Sequence, residues 1–218
     1  MSNIWNCHSG FKFEREFSEL PVKRNKHITF GSFNNFLKIS NEVVEVWSKI
    51  LKKVNNSKLI LKSSLNVNTD FILDKFKKFG VHNSIEFFEK DQDVENHIKS
   101  YKKIDIALDT FPYNGGITTF EALWSGVPVI GMSGFNMMSR CGESILKNAK
   151  LENLISINKE DYIDKALYLS ENLKALEELR LKIFKNILNT PLFESKIFSI
   201  DFQNKLLDIY KKTNHKII

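Results

Sequence analysis

The sequence predicts an α/β fold in which a parallel sheet carries helices on both faces and is followed by C-terminal helices. Short apolar runs alternate along the chain with longer segments of helical period, and this alternation favours right-handed crossovers between parallel strands. One such run, residues 106–108, is apolar throughout, which suits a strand buried on both faces. In sheets of this kind, ligands bind beyond the carboxyl ends of the strands.

The strands are predicted from short apolar runs that polar or turn-forming residues bound on both sides. In chain order, the predicted strands are residues 27–33, 58–62, 84–88, 106–108, 127–130 and 154–155.

The segments between the strands repeat apolar residues at helical spacing. Val43 and Trp47 share one face behind Ser40, which can cap a helix start. Gly126 ends a helix that begins near Thr118, and proline 191 breaks the helical C-terminal part. The other predicted helices are residues 41–54, 70–79, 91–101, 139–149, 159–188 and 195–212.

The composition is that of a globular protein of ordinary domain size. The chain has 218 residues, of which 42% are hydrophobic and 27% charged. No apolar run approaches the roughly 20 residues of a membrane-spanning helix, and we identify no export signal, so a cytoplasmic location is expected. We divide the chain into a lead-in segment (1–26), a Rossmann-like domain (27–190) and a C-terminal helical extension (191–218).

Several functional classes find no support in the sequence. The formal net charge is +6, but the lysines are dispersed over predicted helix faces, so we expect no nucleic-acid partner. Cys7 and Cys141 lack metal-ligand or CxxC spacing, which indicates free thiols. Asp91 and Asp93 imitate a metal-binding DxD motif but stand at a predicted helix start, where aspartate caps well. No Ser/His/Asp or Cys/His arrangement indicates hydrolase chemistry.

The most informative stretch is residues 105–130, which places a strand, a glycine turn, a hydroxyl-rich helix start and a second strand in succession. After Asn114, Gly115 and Gly116 let the backbone approach a ligand closely. Thr118 and Thr119 place hydroxyls beside the free N–H groups of a helix start, where anions bind. This layout predicts a phosphate site.

The chain resembles the O-GlcNAc transferase and SPINDLY-like family of glycosyltransferases, specifically the C-terminal lobe of their two-lobed GT-B catalytic region. The resemblance begins at ITFGSFNN (28–35), includes Lys38 and His97, is strongest in DTFPYNGGITTFEALWSGVP (109–128) and ends at TPLF (190–193). It implies that this lobe binds the nucleotide of a sugar-nucleotide donor. No metal or other cofactor is expected, because a lysine and a helix N-terminus can supply the positive charge.

The resemblance also implies roles for individual residues. Lys38 stands where the family has a lysine that contacts the diphosphate, and Asn35 stands near a polar donor-binding side chain. His97 matches a histidine near the uridine, and Glu121 matches an acidic residue that accepts hydrogen bonds from the ribose. Thr118 and its neighbouring backbone match the diphosphate-binding turn. Because charge develops on the diphosphate when the sugar leaves, we predict that Lys38 stabilises the leaving group.

The sequence departs from the family at two positions of this turn. Gly116 and Ile117 stand where the best-known animal members have a histidine and a threonine, so the detailed diphosphate contacts and the donor preference stay open. UDP-N-acetylglucosamine, UDP-glucose and GDP-fucose are the donors in question.

The resemblance implies transfer of a sugar, N-acetylglucosamine from its UDP derivative, to protein hydroxyls with inversion. The family's other lobe carries most of the acceptor site and the proposed base, and it would precede Met1. We therefore expect donor binding by this chain, but weak or no transfer without an N-terminal lobe or partner chain. Two alternatives remain: a non-catalytic nucleotide-sugar binding module that acts with a partner chain, and a GT-B enzyme for lipid or glycan acceptors. Helix packing explains the C-terminal aromatic residues better than a membrane partner does.

Overall fold

The computed structural model describes residues 4–63 and 68–214. The strands are β1 (Thr29–Ser32), β2 (Lys58–Lys62), β3 (Ile85–Phe88), β4 (Ile106–Leu108), β5 (Val129–Met132) and β6 (Ile155–Ser156). Among the described residues they form one parallel sheet in the order β3-β2-β1-β4-β5-β6. This confirms the predicted parallel α/β sheet. From β1 the strands are added outward on one side of the sheet, as β2 and β3, and from β4 they are added outward on the other side, as β5 and β6. The ligand crevice of such a sheet therefore opens between β1 and β4.

Helices pack around the sheet. They are α1 (Pro21–Asn25), α2 (Asn41–Lys53), α3 (Asp70–Lys77), α4 (Val94–Ser100), α5 (Ile117–Trp124), α6 (Cys141–Asn148), α7 (Lys159–Glu171), α8 (Leu173–Asn186) and α9 (Ser195–Asn214). As predicted, Ser40 caps α2, since its hydroxyl oxygen accepts the Val43 N–H at 3.2 Å. Trp47 is fully buried, and its indole N–H donates to the Tyr162 hydroxyl of α7 at 3.3 Å. In the part of the chain that the structure describes, no helix is long and apolar enough to cross a membrane.

Two predicted helices differ most from the structure. Helix α4 starts at Val94 rather than at residue 91, because the Asp93 carboxylate accepts the Asn96 N–H at 2.7 Å and caps the helix there. The segment predicted as one helix over 159–188 is two helices. Asn172 leaves the helical conformation with φ −110° and ψ 69°, and its side-chain amide donates to the Tyr168 carbonyl at 2.8 Å. Asparagine side chains compete in this way for backbone hydrogen-bonding groups. The spacing of apolar residues does not reveal such a break.

The described part of the lead-in segment, residues 4–26, packs closely against the sheet domain. Leu20 is buried, and the Val22 N–H of α1 donates to the Asp105 carboxylate at 3.1 Å. Arg180 of α8 is also buried and donates to the Ser18 carbonyl at 3.3 Å and to the Ile104 carbonyl at 3.0 Å. Residues 4–26 are therefore part of the folded body, although they lack a periodic pattern.

Candidate functional site

The candidate site lies where the loops after β1 and β4 meet, at the carboxyl ends of these neighbouring strands. Three contacts join the two loops. The Lys38 ammonium donates to the Asn114 carbonyl at 2.9 Å, and the Thr118 hydroxyl donates to Asn34 Oδ1 at 3.1 Å. The Asn34 side-chain amide donates in turn to Asp109 Oδ1 at 3.2 Å. The fold thus brings Lys38 to the glycine turn, from which 76 residues of sequence separate it.

Lys38 is half-buried and forms no ion pair with any described residue. Its ammonium lies 4.0 Å from the centre of the Tyr113 ring, so an aromatic face and a carbonyl hold it in place. Burial lowers the pKa of Lys38, while the nearby Asp109 carboxylate acts in the opposite direction. An ammonium has three N–H donors, and the structure uses one of them. The remaining donors are suited to an anion.

The start of α5 offers further donors beside Lys38. Gly116 occupies the N-cap position, and no side chain caps the helix. Within residues 4–63 and 68–214, no protein group accepts the N–H of Gly116, Ile117 or Thr118. Such free N–H groups carry partial positive charge at a helix start and bind phosphate oxygens. The ammonium and the uncapped helix start together present donors that suit a group with more than one negative charge.

Asp109 organises the turn from beneath. Its carboxylate is buried, and Oδ1 accepts the N–H of Gly115 at 2.7 Å and the N–H of Thr110 at 2.8 Å. Burial raises the pKa of Asp109 to about 6, against the lowering effect of the Gly115 N–H and of Lys38. The Gly115 N–H is therefore committed to the protein, which leaves the residues after it to contact a ligand.

Asn114 is buried and supports the turn through its side chain. Its amide donates to the Thr110 carbonyl at 3.0 Å and to the Met132 carbonyl at 3.3 Å, while its Oδ1 accepts the Gly142 N–H at 3.2 Å. These bonds tie the loop after β4 to β5 and α6. The predicted contribution of Asn114 to the site accordingly rests on its position in the turn.

His97 and Glu121 lie together, as the resemblance implies for groups near one nucleoside. Nε2 of His97 is 3.1 Å from Glu121 Oε2, and the Tyr101 hydroxyl donates to the same oxygen at 3.0 Å. Glu121 is 8% exposed, and it is the fifth residue of α5, one turn after the free N–H groups. A carboxylate and an imidazole thus flank the anion site on the α4 side.

The remaining predicted site residues occupy different positions around the turn. Asn35 caps the short 3-10 turn that carries Lys38, since its Oδ1 accepts the Leu37 N–H at 3.0 Å. Ile117 is 61% exposed, whereas Thr119 is buried. The geometry therefore brings Lys38, the helix start and Glu121 to one edge of the sheet. Asn35 stabilises the turn that carries Lys38, and Thr119 is buried.

Sequence reasoning missed three residues of the site: Asn34, Tyr101 and Asp109. Each has a contact with a residue distant in sequence, which spacing does not encode: Asn34 with Asp109, and Tyr101 with Glu121. The two aspartates of the DxD sequence have separate contacts: Asp91 forms an ion pair with Lys62, and Asp93 caps α4. Among the described residues, no group of three His, Cys, Asp or Glu side chains is placed to hold a metal ion.

The rim of the site exposes large apolar side chains. They follow the carboxyl ends of β1, β4 and β5 and comprise Leu37, Tyr113, Ile117, Phe135 and Met137, which are 77%, 47%, 61%, 91% and 67% exposed. A groove of about 710 Å³ runs beside them and is lined by residues that include Trp5, Phe135 and Met137. Trp5 also adjoins the turn, with its ring 3.9 Å from the position of a Cβ on Gly116. We call the five exposed side chains, Leu37, Tyr113, Ile117, Phe135 and Met137, the apolar rim.

Comparisons with known proteins indicate the family of this chain. The sequence profile of glycosyl transferase family 41 matches residues 14–202. A relative in Solanum lycopersicum, named "Probable UDP-N-acetylglucosamine--peptide N-acetylglucosaminyltransferase SPINDLY", is 31% identical and covers 97% of this chain and 23% of its own length. The relative of the same name in Eustoma exaltatum subsp. russellianum is 36% identical, over 85% of this chain and 21% of its own length.

A solved structure shows the same fold. A mutant O-GlcNAc transferase of Thermobaculum terrenum matches with a TM-score of 0.73 at 31% identity, over 85% of this chain and 36% of that chain. The sheet and its surrounding helices are thus those of a GT-B glycosyltransferase structure. The chain spans less than a quarter of the length of these two curated relatives. With most of its length matched by the family profile, and the matched region containing the site, the chain belongs to glycosyl transferase family 41.

Proposed function

We propose that this chain is the donor-binding lobe of an inverting glycosyltransferase that transfers N-acetylglucosamine from UDP-N-acetylglucosamine to protein serine and threonine hydroxyls. The observation that carries the proposal is the half-buried ammonium of Lys38, free of any described carboxylate partner, beside the uncapped start of α5. The names of the relatives support the donor and the acceptor classes.

The proposed chemistry of this lobe is stabilisation of the leaving diphosphate. When the bond between sugar and phosphate breaks, negative charge develops on the diphosphate oxygens. Lys38 and the N–H groups of residues 116–118 are fixed donors, so they require little reorganisation as that charge appears. The carboxylate of Glu121 and the ring of His97 would contact the nucleoside side of the donor.

Acceptor binding and activation belong, in this proposal, to a second lobe or partner chain. The chain covers 36% of the length of the Thermobaculum terrenum structure, which leaves room for such a lobe in a full-length protein. The apolar rim supports the same idea, because exposed apolar surface next to a ligand site is typical of a surface that another domain covers. We therefore expect this chain to bind donor and to transfer little sugar by itself.

The proposal is tested by replacing Lys38 with alanine and measuring the binding of UDP and uridine by calorimetry. UDP affinity is expected to fall roughly ten- to hundredfold, because a charge-assisted hydrogen bond to phosphate is lost, whereas uridine affinity should change little. Lys75→Ala is a matched control. Its ammonium also donates to a carbonyl, that of Ile39 at 3.0 Å, and lies 5.8 Å from the Phe71 ring. The UDP affinity of Lys75→Ala should equal that of the unmodified chain.

Three outcomes distinguish the alternatives. Equal losses for UDP and uridine would make Lys38 a structural residue. Absence of UDP and GDP binding by the unmodified chain would overturn the proposal. Donor binding without glycosylation of peptide, lipid or glycan acceptors, even when a second lobe is supplied, would favour a non-catalytic nucleotide-sugar binding module.

A further inference from the structure

A series of buried and half-buried polar side chains runs from the end of β2 to the second turn of α5. Lys62 is 2% exposed, forms an ion pair with Asp91 and donates to the Ser100 hydroxyl at 3.0 Å. Nδ1 of His97 lies 3.8 Å from Asp91 Oδ2, and Nε2 lies 3.1 Å from Glu121 Oε2. The His97 ring is thereby placed between two carboxylates that belong to different parts of the fold.

Tyr101 connects this series to the anion site. It is 2% exposed, and its hydroxyl lies 3.0 Å from Glu121 Oε2 and 3.2 Å from the carbonyl oxygen of Thr118. The Phe33 ring packs at 4.4 Å from the Tyr101 ring, centre to centre, and the His97 ring stands at right angles to it. Since these neighbours enclose the ring, the hydroxyl is fixed between the helix start and the carboxylate.

These contacts engage one oxygen of Glu121 and leave the other. The Tyr101 hydroxyl and Nε2 of His97 both contact Oε2, while no residue in the described ranges forms a hydrogen bond with Oε1. A diphosphate held at residues 116–118 has its ribose attached directly to it, and α5 places Glu121 one turn away. A carboxylate oxygen with free lone pairs is a matching acceptor for vicinal hydroxyl groups.

We propose that Tyr101 is a positioning residue, which holds Glu121 in register with the start of α5 and thereby sets a preference for nucleotides with intact ribose hydroxyls. The inference rests on the proposed function and adds a determinant of ligand specificity to it. The ligand class is a nucleoside diphosphate that carries a 2′,3′-diol.

The test compares UDP with 2′,3′-dideoxyuridine diphosphate on the full chain and on Tyr101→Phe. This change keeps the ring and removes only the hydroxyl. The unmodified chain should prefer UDP by roughly tenfold or more, because hydroxyl hydrogen bonds to a carboxylate are lost in the analogue. In Tyr101→Phe, the preference should shrink to within about threefold, mainly because UDP binds less well.

Tyr162→Phe is the control for loss of a buried hydroxyl. Tyr162 is likewise fully buried and donates to a carbonyl, that of Asp109 at 2.9 Å, but it does not contact Glu121. The Tyr162→Phe variant should keep the preference of the unmodified chain for UDP over the dideoxy analogue. Its loss of thermal stability should be comparable to that of Tyr101→Phe. Thermal unfolding of both variants verifies that they fold.

The failures of the two ideas are distinguishable. If neither UDP nor GDP binds, the proposed function fails. If GDP binds and UDP does not, the same comparison is made with GDP and its dideoxy analogue. If the nucleotide binds but Tyr101→Phe retains the full diol preference, Tyr101 has a structural role only and the inference is overturned.

Discussion

Asp109 is the residue on which the shape of the glycine turn depends. Three donors converge on its Oδ1, from Gly115, Thr110 and Asn34, yet burial still raises its pKa to about 6. This value exceeds the ordinary pKa of an unfolded aspartate, so the native state binds more protons between about pH 4 and pH 6. The contribution of this group therefore lowers the free energy of unfolding as pH rises through that window.

Asp109→Asn tests this sign, because the amide retains the accepting oxygen but does not titrate. We expect the free energy of unfolding of the unmodified chain to fall, relative to the variant, by about 3 kcal/mol between pH 4 and pH 7. Urea denaturation across this range measures the difference. Parallel pH profiles of the two proteins would contradict the assigned protonation.

Glu143→Gln provides a control of opposite sign. The Arg140 guanidinium donates to Glu143 at 2.9 Å and is the main cause that lowers the pKa of this carboxyl to about 2. A carboxyl with a lowered pKa contributes stability above its unfolded pKa, and the contribution is lost as pH falls. The Glu143 variant should therefore lose stability relative to the unmodified chain at neutral pH rather than in acid.

At this scale, the sequence predicted which residue types gather at the site but not how each side chain is used. Asn34 and Asn35 are neighbours, and the resemblance singled out Asn35. The structure uses Asn35 to cap a 3-10 turn and Asn34 to join Asp109 to Thr118. The difference depends on the backbone bend after β1, which residue spacing does not specify.

The start of α5 is the element that the site depends on, and its two glycines have different roles. A Cβ on Gly115 would lie 2.6 Å from the Thr118 hydroxyl oxygen and 2.8 Å from both Asp109 Oδ1 and the Thr119 hydroxyl oxygen. On Gly116, the nearest atom would be 3.9 Å away, in Trp5. Only the first position therefore excludes a side chain on steric grounds.

We accordingly predict that Gly115→Ala destabilises the protein by about 1–3 kcal/mol and abolishes UDP binding, since the turn must shift to admit the methyl group. Gly116→Ala should retain the stability of the unmodified chain, and its UDP affinity should change by no more than a factor of about three. Thermal unfolding and UDP titration of the two variants make the comparison. Equal behaviour of both variants would show that the turn is not closely packed.

Element positions followed from sequence where local pattern decides them. Residues 58–62 and 106–108 were predicted with the bounds that β2 and β4 have, because buried parallel strands are apolar runs with sharp ends. The break at Asn172 was not predicted, since the apolar period continues across it. The docking of residues 4–26 depends on Arg180 and Asp105, which are far away in sequence.

For the whole molecule, the apolar rim is the feature that a single lobe does not explain. Its side chains surround the site at the carboxyl edge of the sheet and remain exposed in this chain. In the proposed function, a second lobe covers this edge, excludes water from the donor and brings the acceptor to it.

The joint change Phe135→Ser and Met137→Ser tests this role. UDP affinity of the isolated chain should stay within about twofold, whereas binding of a separately produced second lobe, taken from the part of the Thermobaculum terrenum enzyme that this chain does not match, should weaken at least tenfold. Tyr168→Ser, which changes an exposed aromatic residue on α7, is the control. Unchanged association of the lobes in the double variant would exclude the rim from their interface.

The central claim is that a nucleoside diphosphate binds at the start of α5 beside Lys38. The most direct measurement is an NMR titration of the ¹⁵N-labelled chain with UDP and, separately, with uridine. We expect saturable UDP-induced shifts that are largest at the amides of Gly116, Ile117 and Thr118, and much smaller shifts there with uridine. Absence of shifts with both UDP and GDP at millimolar concentration, or shifts confined to another surface, would contradict it.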